Sequence, residues 1–308
     1  MEINIATYSD GNYMQHACVM LASLNVVGDT NNGYHIYLFY SDCSESVLQK
    51  AKHTFDGFRK NIDIILIKVD FKLRDKLKSK KEGINDSIYD KMLIYNLLPD
   101  EVKRIFFIDA DVVIKKDPAK IYNINLKGKV LAAVQDAFLK FSESARNAID
   151  LERPNDYFNS GVMIVNLEQW RKKNIADKAL KFALEKGHLT KLHDQDALNH
   201  AVKGNWVHIS PLWNPRPKNL IEDYYEISVT LSRDEVYRRG ISHLVHYSGS
   251  NKPWNFLSTH PAKAIYWGYL KQTDFKDYIP KDKSVLNLFK LKIKEFKNYL
   301  LKIKRKIS

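Results

Sequence analysis

Apolar residues recur along this chain in short blocks with two different rhythms. Residues 3–7, 34–40, 62–69, 105–108 and 130–134 are compact runs rich in Ile, Val, Leu and aromatic side chains. They are bounded by turn residues and predict buried strands. Between them the spacing lengthens to helical steps. Residues 13–27 offer Cys18, Leu21, Ala22 and Leu24 to one side, and Ser44 stands ready to cap a helix through residue 55. A lysine-rich polar loop spans 72–85, and Ser87 with Asp90 resembles a capping box opening a helix that carries Tyr89 and Lys91 and stops before Pro99. Strands alternating with helices predict an α/β fold with a mixed, mostly parallel sheet.

The chain is organised around residues 104–114, where Asp109 and Asp111 interrupt an apolar run. Residues i and i+2 of an extended chain point the same way, roughly 7 Å apart, so both carboxylates leave the strand end together. Such a pair suits a hard divalent cation, which relieves the repulsion and can grip a diphosphate. Taken alone, the tripeptide reads sooner as a turn after a strand, with the aspartates as local caps.

Other polar groups also stand at the ends of apolar runs. Residues 9–12 form a turn cluster after the first strand, which places residues 8–13 beside any ligand at the carboxyl ends of the strands. Asp136 follows the run at 130–134. Asn159, Ser160 and Gly161 read as a small polar turn before another buried strand, and residues 167–171 start a helix. His193, Asp194, Gln195 and Asp196 open a further helix, where acids complement the dipole. His246 follows an apolar pair and precedes a flexible 248–251 segment with Lys252, which together offer a metal ligand and a cation for phosphate.

Composition narrows the partners. With 308 residues, 44% hydrophobic and 12% aromatic, the chain can bury a large core. Two cysteines give neither a disulfide framework nor a metal-ligand spacing, which fits a reducing, cytoplasmic compartment. No signal-like N-terminus and no eighteen-residue apolar window is present, so neither export nor a membrane span is expected. The net charge is +13, of which residues 281–308 carry +8, from ten Lys or Arg against two acids. The excess base is therefore a property of the tail. No RNA-binding motif accompanies it, and nucleic acid is not an expected partner.

Together, residues 9–13, 107–111, 157–162, 193–196 and 246–254 resemble glycosyltransferase family 8, in order and spacing, over residues 1 to about 255. The family comprises retaining enzymes that include lipopolysaccharide galactosyl- and glucosyltransferases and, more distantly, glycogenin. The resemblance implies a GT-A fold in one domain, residues 1–270, and a divalent metal, manganese with magnesium as the alternative. It makes Asp109, Asp111 and His246 the metal ligands. It assigns Thr7, Tyr8, Ser9, Asp10, Asn12 and Tyr13 to the uridine and ribose of a UDP-hexose donor, with Ala110 between the two aspartates. Lys252 and Gly249 become diphosphate contacts, and Asp136, Asn159, Ser160, Asp194 and Gln195 the shell around the donor sugar. Lys91 stands where relatives carry Arg, keeping the charge but losing the bidentate fork. Gln195, an amide and a poor nucleophile, favours front-face substitution over a covalent intermediate, with Asp194 and Asp136 as its catalytic neighbours. The implied activity is transfer of galactose or glucose to a saccharide or glycolipid acceptor. The alternatives are a protein- or self-glucosylating transferase, or a nucleotide-sugar-binding protein without catalysis.

The segment 271–308 is expected to be a tail. From Val285 its apolar residues fall at three- and four-residue steps, with lysines on the other faces, an amphipathic basic helix. Such a helix suits the anionic inner face of the plasma membrane, which makes peripheral attachment the expected location.

Overall fold

The structure is a computed structural model that describes residues 1–69, 91–139, 142–216 and 231–288. The expected loop at 72–85, the capping box at Ser87 and most of the tail helix lie outside the described residues.

A seven-stranded sheet forms the frame, in the order β3-β2-β1-β4-β7-β6-β8. Its members are β1 (Glu2–Asp10), β2 (Gly33–Ser41), β3 (Ile62–Lys68), β4 (Arg104–Ile108), β6 (Leu131–Gln135), β7 (Phe158–Asn166) and β8 (Trp206–His208). The strands β1 to β4 pair in parallel, whereas β7 runs antiparallel to both β4 and β6. The sheet is thus mixed, and β4 has one parallel and one antiparallel neighbour instead of lying in a purely parallel sheet. The short strands β5 (Val112–Ile114) and β9 (Leu244–His246) leave this frame and form an antiparallel ribbon of their own.

The uninterrupted apolar runs follow from burial of both faces. In β4, Phe106 and Ile108 enter one core while Ile105 and Phe107 enter the other. In β7, Val162 and Ile164 alternate in the same way with Met163 and Val165. Helix α1 (Met14–Val27) fills the first core, with its first three turns buried nearly all round, and packs on α9 (Lys263–Leu270). Helices α5 (Leu167–Lys172), α6 (Ile175–Lys186) and α7 (His193–Val202) cover the second through Trp170, Ala179, Phe182 and Leu198. Helix α2 (Glu45–Asp56) starts where expected, because Ser44 Oγ accepts from Val47 N–H. Among the described residues the other helices are α3 (Ala119–Tyr122), α4 (Glu143–Ala148) and α8 (Arg233–Arg238), and residues 91–93 are helical as well.

Residues beyond 270 continue to pack on this body. Phe275 is buried, His53 bonds Asp274, and Asp282 accepts from the N–H groups of Phe256 and Leu257. Exposure rises sharply after that point, to 80% at Val285 and 65% at Leu286. Among the described residues, no helix is long and apolar enough to cross a membrane.

Candidate active site

Strand direction assembles the site. β1, β4 and β6 all end at one edge of the sheet, and β7, running the other way, begins there. Asp10, Asp109, Asp136 and Asn159 therefore meet although up to 149 residues separate them. Asn159, Ser160 and Gly161 are not the turn that their small polar side chains predict. They are the second, third and fourth residues of β7, buried where its register against β6 slips, with Gly161 O accepting from Asp109 N–H at 2.8 Å.

At the centre, ligand atoms of Asp109, Asp111 and His246 lie within 4.8 Å of one another. His246 Nε2 stands 3.3 Å from Asp111 Oδ1 and 3.7 Å from Asp109 Oδ2. The ribbon sets this spacing: Val112 pairs with His246, and Tyr247 N–H donates to Asp111 O at 3.0 Å. A Cβ on Gly161 would lie 2.4 Å from both Asp109 Oδ2 and His246 Cε1, so glycine is what lets the two side chains approach across β7. Two carboxylates and an imidazole nitrogen form an oxygen and nitrogen donor set that fits a divalent cation such as manganese.

Two lysines, Lys91 buried and Lys252 half-buried, offset the acids. Lys91 Nζ lies 2.9 Å from Asp109 Oδ1 and 3.1 Å from Asp194 Oδ2, and it donates to Ser160 Oγ at 3.3 Å. Burial disfavours its charge, but the two carboxylates outweigh burial and raise its pKa. Lys252 Nζ donates to Asp111 Oδ2 at 2.5 Å and to Tyr247 O at 2.8 Å. Its pKa is raised in the same way, with burial opposing and Asp111 prevailing. Burial also works against the Asp111 carboxylate, yet Lys252 and His246 hold its pKa well below the usual range. Gly249 bends the loop before Lys252 with φ +87°, a left-handed value that favours glycine.

Beside the triad lies a shell of amides and acids. Asn159 Nδ2 donates to Gln195 Oε1 at 2.6 Å and to Asp136 Oδ2 at 3.4 Å. Ser160 N–H also donates to Gln195 Oε1, and Ser160 Oγ to Asp194 Oδ2. Two members were not foreseen. Arg216 Nε pairs with Asp136 Oδ2 at 3.0 Å and its Nη1 donates to Ser248 Oγ at 3.0 Å. Asn214 donates to Asn159 Oδ1 at 2.7 Å and faces His246 Nδ1 at 3.1 Å. Both follow the short turn at Pro211–Trp213, where no apolar period marks a strand end. The clue in the sequence is two polar residues flanking Pro215 after an apolar turn, and its signal is weak.

The donor-side residues line the same edge. Thr7, Tyr8, Ser9 and Asp10 are the last residues of β1 and not a turn, which instead occupies residues 11–13. Asp10 Oδ1 accepts from the N–H groups of Asn12 and Tyr13 and so shapes that turn. Tyr8 Oη bonds Ser41 Oγ at 2.6 Å, whereas the buried Thr7 Oγ1 has no partner among the described residues. Tyr13 stands edge-on to Trp254, and Lys252 Nζ lies 5.9 Å from the Tyr13 ring, so this turn and the metal triad share one cleft. Ala110 is buried between the two aspartates.

The Glycosyl transferase family 8 model matches residues 4–258. General stress protein A of Bacillus subtilis (strain 168) is 29% identical over 275 residues, covering 88% of this chain and 94% of its own. Lipopolysaccharide 1,2-glucosyltransferase of Escherichia coli (strain K12) is 27% identical over 299 residues, covering 95% and 84%. Among solved structures, galactosyltransferase LgtC in complex with donor and acceptor sugar analogs superposes with a TM-score of 0.70 at 21% identity, covering 91% of this chain and 98% of that one. The likeness shows the fold, which is GT-A.

Proposed function

Since this chain belongs to glycosyltransferase family 8, we propose that it is a retaining hexosyltransferase moving galactose or glucose from a UDP-sugar to a saccharide acceptor of the cell surface. The observation that carries the reading is the convergence of Asp109, Asp111 and His246 within 4.8 Å, beside the buried Asp136, Asn159 and Gln195 and the half-buried Asp194. These three side chains would hold a divalent cation, manganese in preference to magnesium because one donor is an imidazole. Bound there, the ion supplies Lewis-acid stabilisation of the charge that develops on the diphosphate leaving group.

The chain's own residues do the rest. The β1 edge from Thr7 to Asp10, with Asn12 and Tyr13, receives the nucleoside. Lys252, which already faces Asp111, stands beside the diphosphate position and adds a second positive charge where negative charge grows. Lys91 ties Asp109 to Asp194, so the metal-holding carboxylate and the sugar shell keep one relative position. Asp136, Asn159, Asp194 and Gln195 orient the hexose. Gln195 Oε1 already accepts two hydrogen bonds, from Asn159 Nδ2 and Ser160 N–H, which suits an orienting dipole better than a nucleophile. The acceptor hydroxyl oxygen forms its bond to the anomeric carbon on the face from which the phosphate oxygen departs. The hydroxyl proton passes to that departing oxygen, and the products are the glycosylated acceptor and UDP.

The exposed residues from Val285, continued by the basic sequence to Ser308, support a second element of the proposal. This segment meets an anionic membrane surface on the cytoplasmic side and brings the cleft to a glycolipid acceptor.

The test is release of UDP from a panel of UDP-sugars, with and without saccharide acceptors, in chelator and after manganese is restored. Manganese-dependent turnover of UDP-galactose or UDP-glucose is expected, and Asp111→Asn should abolish it with the fold intact. Full activity in chelator, or in Asp111→Asn, would defeat the reading.

A further inference from the structure

Four side chains beside the triad leave little freedom in how their protons are arranged. Two backbone N–H groups fix the starting points: Ser160 N–H donates to Gln195 Oε1 at 3.2 Å, and Gly161 N–H donates to Asn159 Oδ1 at 3.0 Å. A backbone N–H can only donate, so these contacts identify the oxygen of each carboxamide. Asn159 Nδ2 is then the group facing Gln195 Oε1 and Asp136 Oδ2. The remaining contact of Asn159 Oδ1, at 2.7 Å to the side chain of Asn214, requires the NH2 end of Asn214. That turns Asn214 Oδ1 towards His246 Nδ1 at 3.1 Å. An oxygen at that point accepts, so the proton of the neutral ring belongs on Nδ1. The lone pair is left on Nε2, the atom that faces Asp109 and Asp111.

We propose that Asn214 is a positioning residue that holds His246 in the Nδ1–H tautomer, with its Nε2 lone pair turned to the cation position, and joins that ring through Asn159 to Gln195. The proposal rests on the reading of Asp109, Asp111 and His246 as a divalent metal site. Asn214 is fully buried and acts only through its neighbours. The opposite tautomer would leave two buried acceptors, Asn214 Oδ1 and His246 Nδ1, facing each other without a proton between them. Metal-binding histidines generally donate their other N–H to an oxygen that fixes the ring, and removing that oxygen weakens metal binding by about 10- to 100-fold. Here an uncharged amide does this work, so no further negative charge is added to a cleft that already holds Asp109, Asp111, Asp136 and Asp194. The same amide chain passes the orientation of the metal-side imidazole to the group that faces the sugar.

The direct readout is nitrogen NMR of histidine-labelled protein loaded with diamagnetic Zn2+, so that a cation and not a proton stands between Nε2 and the two carboxylates. The His246 signal is assigned by its loss in His246→Gln. A proton on Nδ1 alone is expected, and a ring protonated on Nε2, neutral or cationic, would overturn the proposal. The second readout is Mn2+ affinity, measured from the resonance of the free ion. Asn214→Leu with unchanged circular dichroism should bind about 10- to 100-fold more weakly, and affinity equal to wild type would also overturn the proposal. Asn214→Asp keeps an acceptor for Nδ1–H and should hold Mn2+ within about threefold, while losing its donor to Asn159 and with it about 10-fold in kcat. A wild-type protein that binds no Mn2+ would defeat the metal-site reading, whereas a wild-type protein that binds Mn2+ with Asn214→Leu binding it equally well would defeat only the role of Asn214.

Discussion

Replacing Gly161 by Ala adds one methyl group at the tightest point of the site. The new carbon would lie 2.4 Å from Asp109 Oδ2, 2.4 Å from His246 Cε1 and 3.2 Å from Asn159 Oδ1. Unstrained contacts of this kind are about 3.5 Å, so each of the first two neighbours must retreat by about 1 Å or the strand must yield. The strand is held on the β4 side, because Gly161 O accepts from Asp109 N–H and Val162 pairs with Ile108. The side chains therefore give way. Ligand distances in a metal site are met to about 0.2 Å, so a 1 Å retreat spoils the triad. An error of that size at a reacting centre costs about 100-fold in rate. We expect Mn2+ affinity to fall at least about 10-fold and kcat/KM about 100-fold. Overpacking should lower stability by about 1–3 kcal/mol, read as a loss of roughly 2–10 °C in Tm. Gly57→Ala, whose added carbon meets only Thr54 O at 3.5 Å, is the control. Wild-type Mn2+ affinity in a folded Gly161→Ala protein would refute the reasoning.

Three further outcomes can be measured. Gln195→Ala should lower kcat by about 10- to 1000-fold while the product keeps the donor's anomeric configuration, and a glycosyl adduct trapped on Gln195 or Asp194 would refute the orienting role. Burial holds His16 at a pKa of about 3 and His260 at about 4, and burial with nearby lysines holds His243 at about 4, so all three fold as neutral rings. The unfolded chain takes up their protons below about pH 6.5 and the folded chain does not, so stability is complete above that value and falls as the pH drops towards 4. His16 and His260 should each remove about 2 kcal/mol between pH 7 and 5, and an unchanged urea midpoint across that range would contradict this. Truncation after Ser284 keeps Asp282 on the Phe256 and Leu257 amides and every proposed site residue. It should retain turnover on soluble acceptors and lose binding to anionic vesicles, and equal vesicle binding by the full-length and truncated proteins would return the tail to an ordinary surface segment.

The parts of the site legible in the sequence are those that sit where a buried strand stops. Asp109 and Asp136 each follow an apolar run of the main sheet, in which β4 and β6 share a direction and bring those ends to one edge, whereas His246 ends the apolar pair of β9 in the separate ribbon. Asn159 misled because small polar residues signal a turn, whereas at this site they lie within β7, and it is at Gly161 that any Cβ would strike Asp109 and His246. Asn214 and Arg216 had no periodicity to announce them. They enter from an irregular segment, and only the folded chain places their donors against Asn159 and Asp136. Lys91 was visible as a cation, but its position between Asp109 and Asp194 depends on contacts 18 and 103 residues away in sequence.

The separation of β5 and β9 from the main sheet makes the site a seam between two hydrogen-bonded ladders that share one apolar core. Asp109 is anchored to the large sheet through Gly161, whereas Asp111 and His246 belong to a ribbon of three residue pairs, Val112 with His246, Val113 with Val245 and Ile114 with Leu244. The ribbon's three pairs are buried in the core shared with β1, β4 and α1, so it opens only when that packing parts. Each opening dissolves the ligand set, so an ion or donor bound across the seam acts as a rivet. Amide exchange at Val113, Val245 and Tyr247 should accordingly slow on binding while the centre of β4 is unaffected. The ribbon's protection would then serve as a gauge of occupancy that needs no turnover.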